Sequence, residues 1–65
     1  MVLPLDRKVI ETYATIKAEI QSNGHTVGEF DLLIAATALA HRLTVATLNV
    51  RDFSKVPNLQ VEDWG

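Results

Sequence analysis

One stretch of the sequence, from Phe30 to Arg42, is almost entirely apolar. Leucine, isoleucine and alanine fill nearly every position from 32 to 40, so a helix here has almost no polar face. Such a helix must be covered on most of its sides, and its small alanines let a neighbouring backbone approach closely. We therefore predict a buried helix from about 30 to 42 that carries one acidic residue, Asp31, at its N-terminal edge.

The segment before this stretch has the pattern of an amphipathic helix. We predict a helix over about 7–22, with Asp6 as its N-cap and Asn23-Gly24 as its left-handed end. Its apolar stripe consists of Val9, Tyr13, Ile16 and Ile20, widened by Ile10 and Ala14.

Short apolar segments rich in β-branched residues follow the buried helix. Residues 43–47 are predicted as a strand, 48–52 as a loop, 53–56 as one helical turn and 59–62 as a final strand. Residues 1–5 have the pattern of a strand tail or a lead-in segment. Two helices alternating with two to three short strands indicate an α/β layered fold with a mainly parallel sheet.

The chain is short for a fold of this kind. Its 65 residues include no cysteine and two histidines, which excludes disulfides and a complete zinc site made by this chain alone. A chain of this size usually needs a partner, and two helices cannot cover both faces of a parallel sheet. We therefore expect the C-terminal part of a larger α/β domain, and at least a dimer in solution.

Composition narrows the classes of function. The net charge is −2 and 48% of the residues are hydrophobic, so the chain is globular and any nucleic-acid binding must use a local patch. Asp6, Arg7 and Lys8 interrupt the start, which argues against a signal peptide. No apolar run reaches the roughly 20 residues of a membrane span. We expect a cytoplasmic protein.

Two acidic residues are candidates for chemistry. Asp31 opens the apolar helix, and Asp52 follows a strand, where α/β sheets bind ligands. Thr47 and Asn49 occupy the same kind of position. Two carboxylates can hold Mg²⁺ or Mn²⁺ for phosphodiester hydrolysis. The structural alternatives are that Asp31 caps its helix and that Asp52 caps the turn beginning at Phe53.

Three basic residues, Arg42, Arg51 and Lys55, lie in the same part of the sequence and could contact nucleic-acid phosphates. The alternative is an ordinary solvated surface. His41 suits the negative end of the second helix dipole, and His25 is expected in a loop. The aromatic residues Tyr13, Phe30 and Trp64 are expected to pack against the core.

Two motifs together resemble a known family. The run Phe-Asp-Leu-Leu-Ile-Ala-Ala-Thr-Ala-Leu-Ala at 30–40 and the run Leu-Thr-Val-Ala-Thr-Leu-Asn-Val-Arg-Asp-Phe at 43–53 are similar to those of PIN-domain ribonucleases. The likeness continues through Val-Pro-Asn-Leu at 56–59 to Trp64 and includes the first helix. Within that family the chain most resembles the VapC type, the toxins of bacterial toxin–antitoxin modules.

The resemblance implies a three-layer α/β fold and a metal-dependent endoribonuclease that acts on RNA such as tRNA or rRNA. Asp31 and Asp52 match two of the family's acidic residues, and Thr47 and Asn49 match supporting polar positions. Such proteins commonly dimerise and are inhibited by a cognate antitoxin. The family's first Asp, on an N-terminal strand, and a Glu on an early helix have no counterpart here, and Glu11 and Glu19 cannot replace them.

This departure leaves two hypotheses. In the first, residues 1–65 are a partial PIN-like domain that has impaired or no activity unless a complementing N-terminal fragment is supplied. In the second, the chain is a non-catalytic interaction module that self-associates or binds an antitoxin or an intact toxin. An unpaired sheet edge would favour contact with another chain in either case.

Overall fold

The computed structural model describes residues 5–64. The elements, in chain order, are α1 (Arg7–Ser22), α2 (Glu29–Ala40), β1 (Val45–Thr47), α3 (Val50–Phe53) and β2 (Val61–Asp63). Helix α2 packs along α1 and also contacts β1 and α3. The predicted mixed fold with a parallel sheet is therefore confirmed.

Helix α1 begins and ends where the sequence predicts. The Asp6 carboxylate accepts a hydrogen bond from the Val9 N–H at 2.9 Å, which satisfies one of the free donors of the first turn. At the other end Gly24 adopts a left-handed φ of 74°, and the His25 N–H donates to the Ile20 carbonyl at 3.0 Å. This pair of features is a Schellman-type end, which glycine adopts without steric cost.

The core lies mainly between α1 and α2. One narrow stripe of α1 is buried, while Tyr13 is half-buried beside it. The prediction that Ile10 and Ala14 widen this stripe is wrong, because both are exposed and Ile10 is 59% exposed. A helix with a single packing partner buries only the side chains that face it. The buried residues of the two helices are Val9, Ile16, Ile20, Leu32, Ala35, Ala36, Thr37, Ala38 and Ala40.

Helix α2 is two residues shorter at its C-terminal end than predicted. It ends at Ala40, and Arg42 adopts a left-handed φ of 56° while the Leu43 N–H donates to the Ala38 carbonyl at 2.8 Å. The buried hydroxyl of Thr37 donates to the Leu33 carbonyl at 2.8 Å, so this polar group is satisfied within the helix. The predicted burial of α2 is confirmed.

Strands β1 and β2 form a parallel pair in which Val45 lies opposite Val61 and Thr47 lies opposite Asp63. Strand β1 is shorter than the predicted 43–47, and Leu43, which precedes it, is 56% exposed. Strand β2 is shifted towards the C-terminus relative to the predicted 59–62. The predicted loop over 48–52 is wrong in part, because α3 already begins at Val50. The buried side chains of Phe53 and Val56 fix this short helix to the core.

One edge of β1 has no partner strand within residues 5–64, where the sheet has two strands. The Val45 N–H and the Thr47 carbonyl bond to the Gln60 carbonyl and the Trp64 N–H. The backbone groups of Ala46 therefore point to the opposite side, because successive residues of a strand alternate in direction. An apolar groove that Ile34, Thr37, Ala38, Leu43, Thr44, Val45 and Ala46 line runs beside this edge.

Two further expectations concern residues 1–5 and the aromatic side chains. The segment predicted at 1–5 lies outside the described residues apart from Leu5, which is 52% exposed. The prediction that Phe30 and Trp64 pack in the core is wrong for this chain, because they are 60% and 70% exposed. Among residues 5–64, no helix has the length and apolar character needed to cross a membrane.

Candidate active site

Four of the predicted site residues meet where β1 ends and α2 begins. Asp31 lies in the first turn of α2, and Thr47 is the last residue of β1. Asn49 is the N-cap of α3, and Asp52 lies inside that helix. The carboxyl end of a parallel strand and the N-terminus of an adjacent helix face the same edge of an α/β fold, which is why residues far apart in sequence converge here.

Asn49 connects the other three residues. Its side-chain Nδ2 donates to Asp52 Oδ2 at 3.0 Å and, over a longer 3.4 Å, to Asp31 Oδ2. Its backbone N–H donates to Thr47 Oγ1 at 2.9 Å, which fixes the loop between β1 and α3. The amide thus lies between two carboxylates and reduces their mutual repulsion. Sequence reasoning placed Asn49 near the site but did not predict this bridging role.

Asp52 is held in its charged form by several neighbours. The Asn49 hydrogen bond lowers the pKa of the Asp52 carboxyl below its ordinary value, and the charges of Lys55 and Arg51 act in the same direction. Partial desolvation is second in size to the Asn49 hydrogen bond and acts in the opposite direction, but it does not reverse the net lowering of the pKa. Lys55 Nζ lies 3.5 Å from Asp52 Oδ1. The carboxylate is therefore available as an anionic ligand at neutral pH.

Neither carboxylate has the capping role that the structural alternatives predicted. Gly28 is the N-cap of α2, and Asp31 lies three residues further on, inside the first turn. Asp52 lies within α3 and does not precede it. Asp31 still benefits from the positive end of the α2 dipole. Its side chain is directed to Asn49, so the contact that the structure gives it belongs to the site.

The three basic residues separate into two groups. Lys55 contacts Asp52, and Arg51 is exposed on α3 beside the site. Arg42 follows the C-terminal end of α2, about 16 Å from Asp31 at the helical rise of 1.5 Å per residue. It lines a different pocket with Asn58 and Gln60. The structure therefore brings Arg51 and Lys55 to the site and leaves Arg42 at the far end of α2.

A second polar cluster, which the sequence did not reveal, holds the first turn of α2 against α1. Tyr13 Oη donates to Glu29 Oε2, and Lys17 Nζ lies 3.0 Å from Glu29 Oε1 and 5.5 Å from the Tyr13 ring centre. Both contacts lower the pKa of Glu29, with the Tyr13 hydrogen bond as the larger cause. Glu29 is two residues from Asp31, so this cluster helps to position the site. In the sequence, the signal for this cluster is the four-residue spacing that places Tyr13 and Lys17 on one face of α1.

The two histidines lie away from Asp31 and Asp52. His41 is the C-cap of α2, and its Nε2 lies 3.1 Å from Asp6 Oδ2 of the α1 cap. This position agrees with the predicted interaction with the helix dipole. His25 is exposed in the connector after α1, as predicted. Within the described part of the chain, no three His, Cys, Asp or Glu side chains come close enough to hold a metal ion together.

Curated proteins similar to this chain are bacterial ribonucleases. Ribonuclease VapC1 of Rickettsia felis is 40% identical over 60 residues, which are 92% of this chain and 45% of that protein. The tRNA(fMet)-specific endonuclease VapC of Salmonella typhimurium is 36% identical over 63 residues, which are 97% of this chain and 48% of that protein. The chain thus spans about half the length of these relatives.

Solved structures show the same likeness. VapBC2 of Rickettsia felis bound to a promoter DNA fragment superposes with a TM-score of 0.87 at 35% identity, covering 92% of this chain and 45% of the solved chain. VapBC-1 of nontypeable Haemophilus influenzae gives 0.89 at 30% identity, covering 97% and 47%. The family model described as "PIN domain" matches residues 1–59. The chain belongs to the PIN-domain family, as that match, its own arrangement of helices and strands, and these relatives show.

Proposed function

We propose that the chain supplies the later half of a VapC-like metal-dependent endoribonuclease, the toxin of a toxin–antitoxin module. The observation that carries the proposal is the Asn49 amide, whose two hydrogen bonds gather the carboxylates of Asp31 and Asp52 at one edge of the fold. The likeness to relatives described as VapC ribonucleases supports the reaction class. Such a protein acts on RNA, and we place it in the cytoplasm for that reason.

The donor set of the site fits a hard divalent cation. The carboxylates of Asp31 and Asp52 offer oxygen atoms, the ligands that Mg²⁺ and Mn²⁺ prefer. The amide hydrogens of Asn49 now place partial positive charge between the carboxylates, as a cation would. A bound divalent cation would stabilise the negative charge that develops on a phosphodiester during hydrolysis. The chain's own residues would hold that cation and align the RNA beside it.

Two carboxylates make a weak site. Each further carboxylate adds charge and preorganisation, and the family's remaining acidic residues belong to a segment that has no match in these 65 residues. We therefore propose that the chain alone binds the cation weakly and has little or no activity. A complementing N-terminal fragment would restore both. The edge of β1 that has no partner strand among residues 5–64, with its apolar groove, offers this fragment a place to add a strand.

Arg51 and Lys55 are the proposed contacts to RNA phosphates, because both lie beside Asp52. Arg42 is a weaker candidate because it lies at the far end of α2. We further propose a cognate antitoxin as protein partner, since the similar solved structures are of VapBC complexes. An antitoxin that covers the site would deny RNA access to the carboxylates of Asp31 and Asp52.

The test is an RNA-cleavage assay with Mg²⁺ or Mn²⁺. The chain is assayed alone and mixed with the N-terminal half of Rickettsia felis VapC1, and Asp31→Asn and Asp52→Asn are compared with Glu19→Gln on the exposed face of α1. We expect cleavage in the mixture that EDTA and both Asp variants abolish and that Glu19→Gln leaves unchanged. Cleavage that survives EDTA and Asp31→Asn would contradict the proposal, as would a mixture that never cleaves.

A non-catalytic interaction module is the second candidate, and exposed apolar side chains favour it. Leu48 is 77% exposed and Trp64 is 70% exposed, and one edge of β1 is unpaired within the part of the chain that the structure describes. Apolar surface of this kind commonly marks a protein contact. Native mass spectrometry of the pure chain should show at least a dimer. A monomer that stays folded on dilution would count against this candidate and against the expectation that so short a chain needs a partner.

A further inference from the structure

Lys55 occupies an unusual position for a surface lysine. Its Nζ lies 3.5 Å from Asp52 Oδ1 and 3.4 Å from the carbonyl oxygen of Thr26, and its side chain is 29% exposed. One ammonium group therefore connects the candidate site to the connector between α1 and α2. A fully solvated lysine would make neither contact in a fixed geometry.

Both oxygens of the Asp52 carboxylate are occupied. The Asn49 amide bonds to Oδ2 at 3.0 Å, while Lys55 lies against Oδ1. Among the described residues, the Asp31 side chain receives one hydrogen bond, the longer one from Asn49. A cation that enters the site must therefore compete for Asp52 with groups that are already bound there, and it meets the like charge of Lys55 as it does so.

We propose that Lys55 is the resident counter-ion of Asp52, and that a divalent cation binds by displacing its ammonium group from the carboxylate. This inference rests on the proposed function, because it takes Asp31 and Asp52 as the residues that hold the cation. Lys55 thus sets how tightly the chain binds the cation, in addition to any contact with RNA. It is a regulating residue of the site and not a ligand.

The contact with Thr26 gives the arrangement a second property. The carbonyl oxygen of Thr26 belongs to the connector, so it continues to hold the lysine after Asp52 is released. In the metal-free chain the ammonium group of Lys55 contacts both Thr26 and Asp52. In the cation-bound chain it keeps the contact with Thr26 and loses the contact with Asp52. The backbone of the connector near Thr26 should therefore report the position of the ammonium group without any measurement of activity.

The chain offers a matched control. Arg51 carries the same charge and lies one residue from Asp52, but among the described residues its guanidinium makes no hydrogen bond or ion pair. Arg51→Met and Lys55→Met therefore change the net charge equally. Only the second removes a group in contact with the carboxylate. Lys55→Arg keeps a charge at that position and serves as the conservative variant.

The test measures Mn²⁺ affinity at low ionic strength by electron paramagnetic resonance, with the intact 65-residue chain. Lys55→Met should bind Mn²⁺ about tenfold more tightly than the parent chain, because a repelling and competing charge is removed. Arg51→Met should change the affinity by less than about twofold, since its guanidinium is exposed to solvent and does not contact the carboxylate. Lys55→Arg should stay close to the parent chain.

The outcomes separate this inference from the proposed function. If Asp31→Asn abolishes Mn²⁺ binding while Lys55→Met matches Arg51→Met, the cation site stands and the counter-ion role is overturned. If no variant binds Mn²⁺, the proposed cation site and the counter-ion role are both overturned. Amide hydrogen exchange in metal-free protein is the second readout, and Lys55→Met should speed exchange at residues 26–28 whereas Arg51→Met should not.

Discussion

The helix pair α1–α2 and the region from β1 to β2 differ in how much of themselves they bury. The helix pair contains most of the buried side chains, and both of its helices have defined ends. Within residues 5–64, the second region has two strands of three residues each, one short helix and a sheet edge without a partner strand. The helix pair therefore provides most of the packing, while the second region leaves more of its backbone and polar groups exposed.

The candidate site lies at the boundary of these two regions. Asp31 comes from the packed helix α2, where the Tyr13–Lys17–Glu29 cluster holds the first turn. Thr47, Asn49 and Asp52 come from the more open region. One carboxylate is therefore anchored firmly and the other depends on the loop that Asn49 organises. A site built in this way can be altered from the open side without loss of the core.

The largest expected effect tests whether the helix pair carries the stability. Ile16 is 4% exposed on the packed face of α1, and Ile10 is 59% exposed on the opposite side. Ile16→Ala should lower the free energy of unfolding by about 2–5 kcal/mol because it leaves a cavity. Ile10→Ala, the matched control, should change it by less than about 0.5 kcal/mol. Equal losses in urea denaturation would contradict the packing described here, or would show that Ile10 is covered by another chain.

A smaller effect on stability is expected at the C-terminal ends of the two helices. Gly24 after α1 and Arg42 after α2 both have left-handed φ angles, 74° and 56°. Gly24→Ala should lower the free energy of unfolding by about 1 kcal/mol, because a Cβ atom disfavours this conformation. Arg42→Gly should raise it by up to about 1 kcal/mol for the same reason. A loss of stability in Arg42→Gly would show that the arginine side chain makes a compensating contact.

The smallest effect concerns two carboxyls, one from each region. The pKa of Glu29 lies below its ordinary 4.5 and that of Asp52 below its ordinary 3.8, so the folded state favours both charged forms. Their stabilisation is present above those ordinary values and is lost as the pH falls through the lower folded-state values. Without metal, Asn49→Ala should raise the pKa of Asp52 and leave that of Glu29 unchanged, and Tyr13→Phe should raise the pKa of Glu29 and leave that of Asp52 unchanged. Carboxyl ¹³C titrations by NMR measure both, and a shift in the other carboxyl would show that the regions are coupled.

Local signals predicted the helices well because those signals depend on neighbouring residues. The Asp6 cap, the Gly24 end and the buried stripe of α1 all follow from spacing within one helix. The short strands and α3 were predicted less accurately, since three- and four-residue elements are decided by what they pack against. Ile10, Phe30 and Trp64 were expected at the core because they are apolar, yet nothing in residues 5–64 covers them.

The sequence by itself determined the class of fold, the identity of the candidate carboxylates and the family resemblance, because periodicity and motif spacing are written along the chain. Only the tertiary structure showed that Asn49 bridges Asp31 and Asp52, that Lys55 lies against Asp52, and that Glu29 is held by Tyr13 and Lys17. These contacts join residues that are up to 18 positions apart. Hydrogen bonds across such separations depend on how helices and strands pack, which no local pattern encodes.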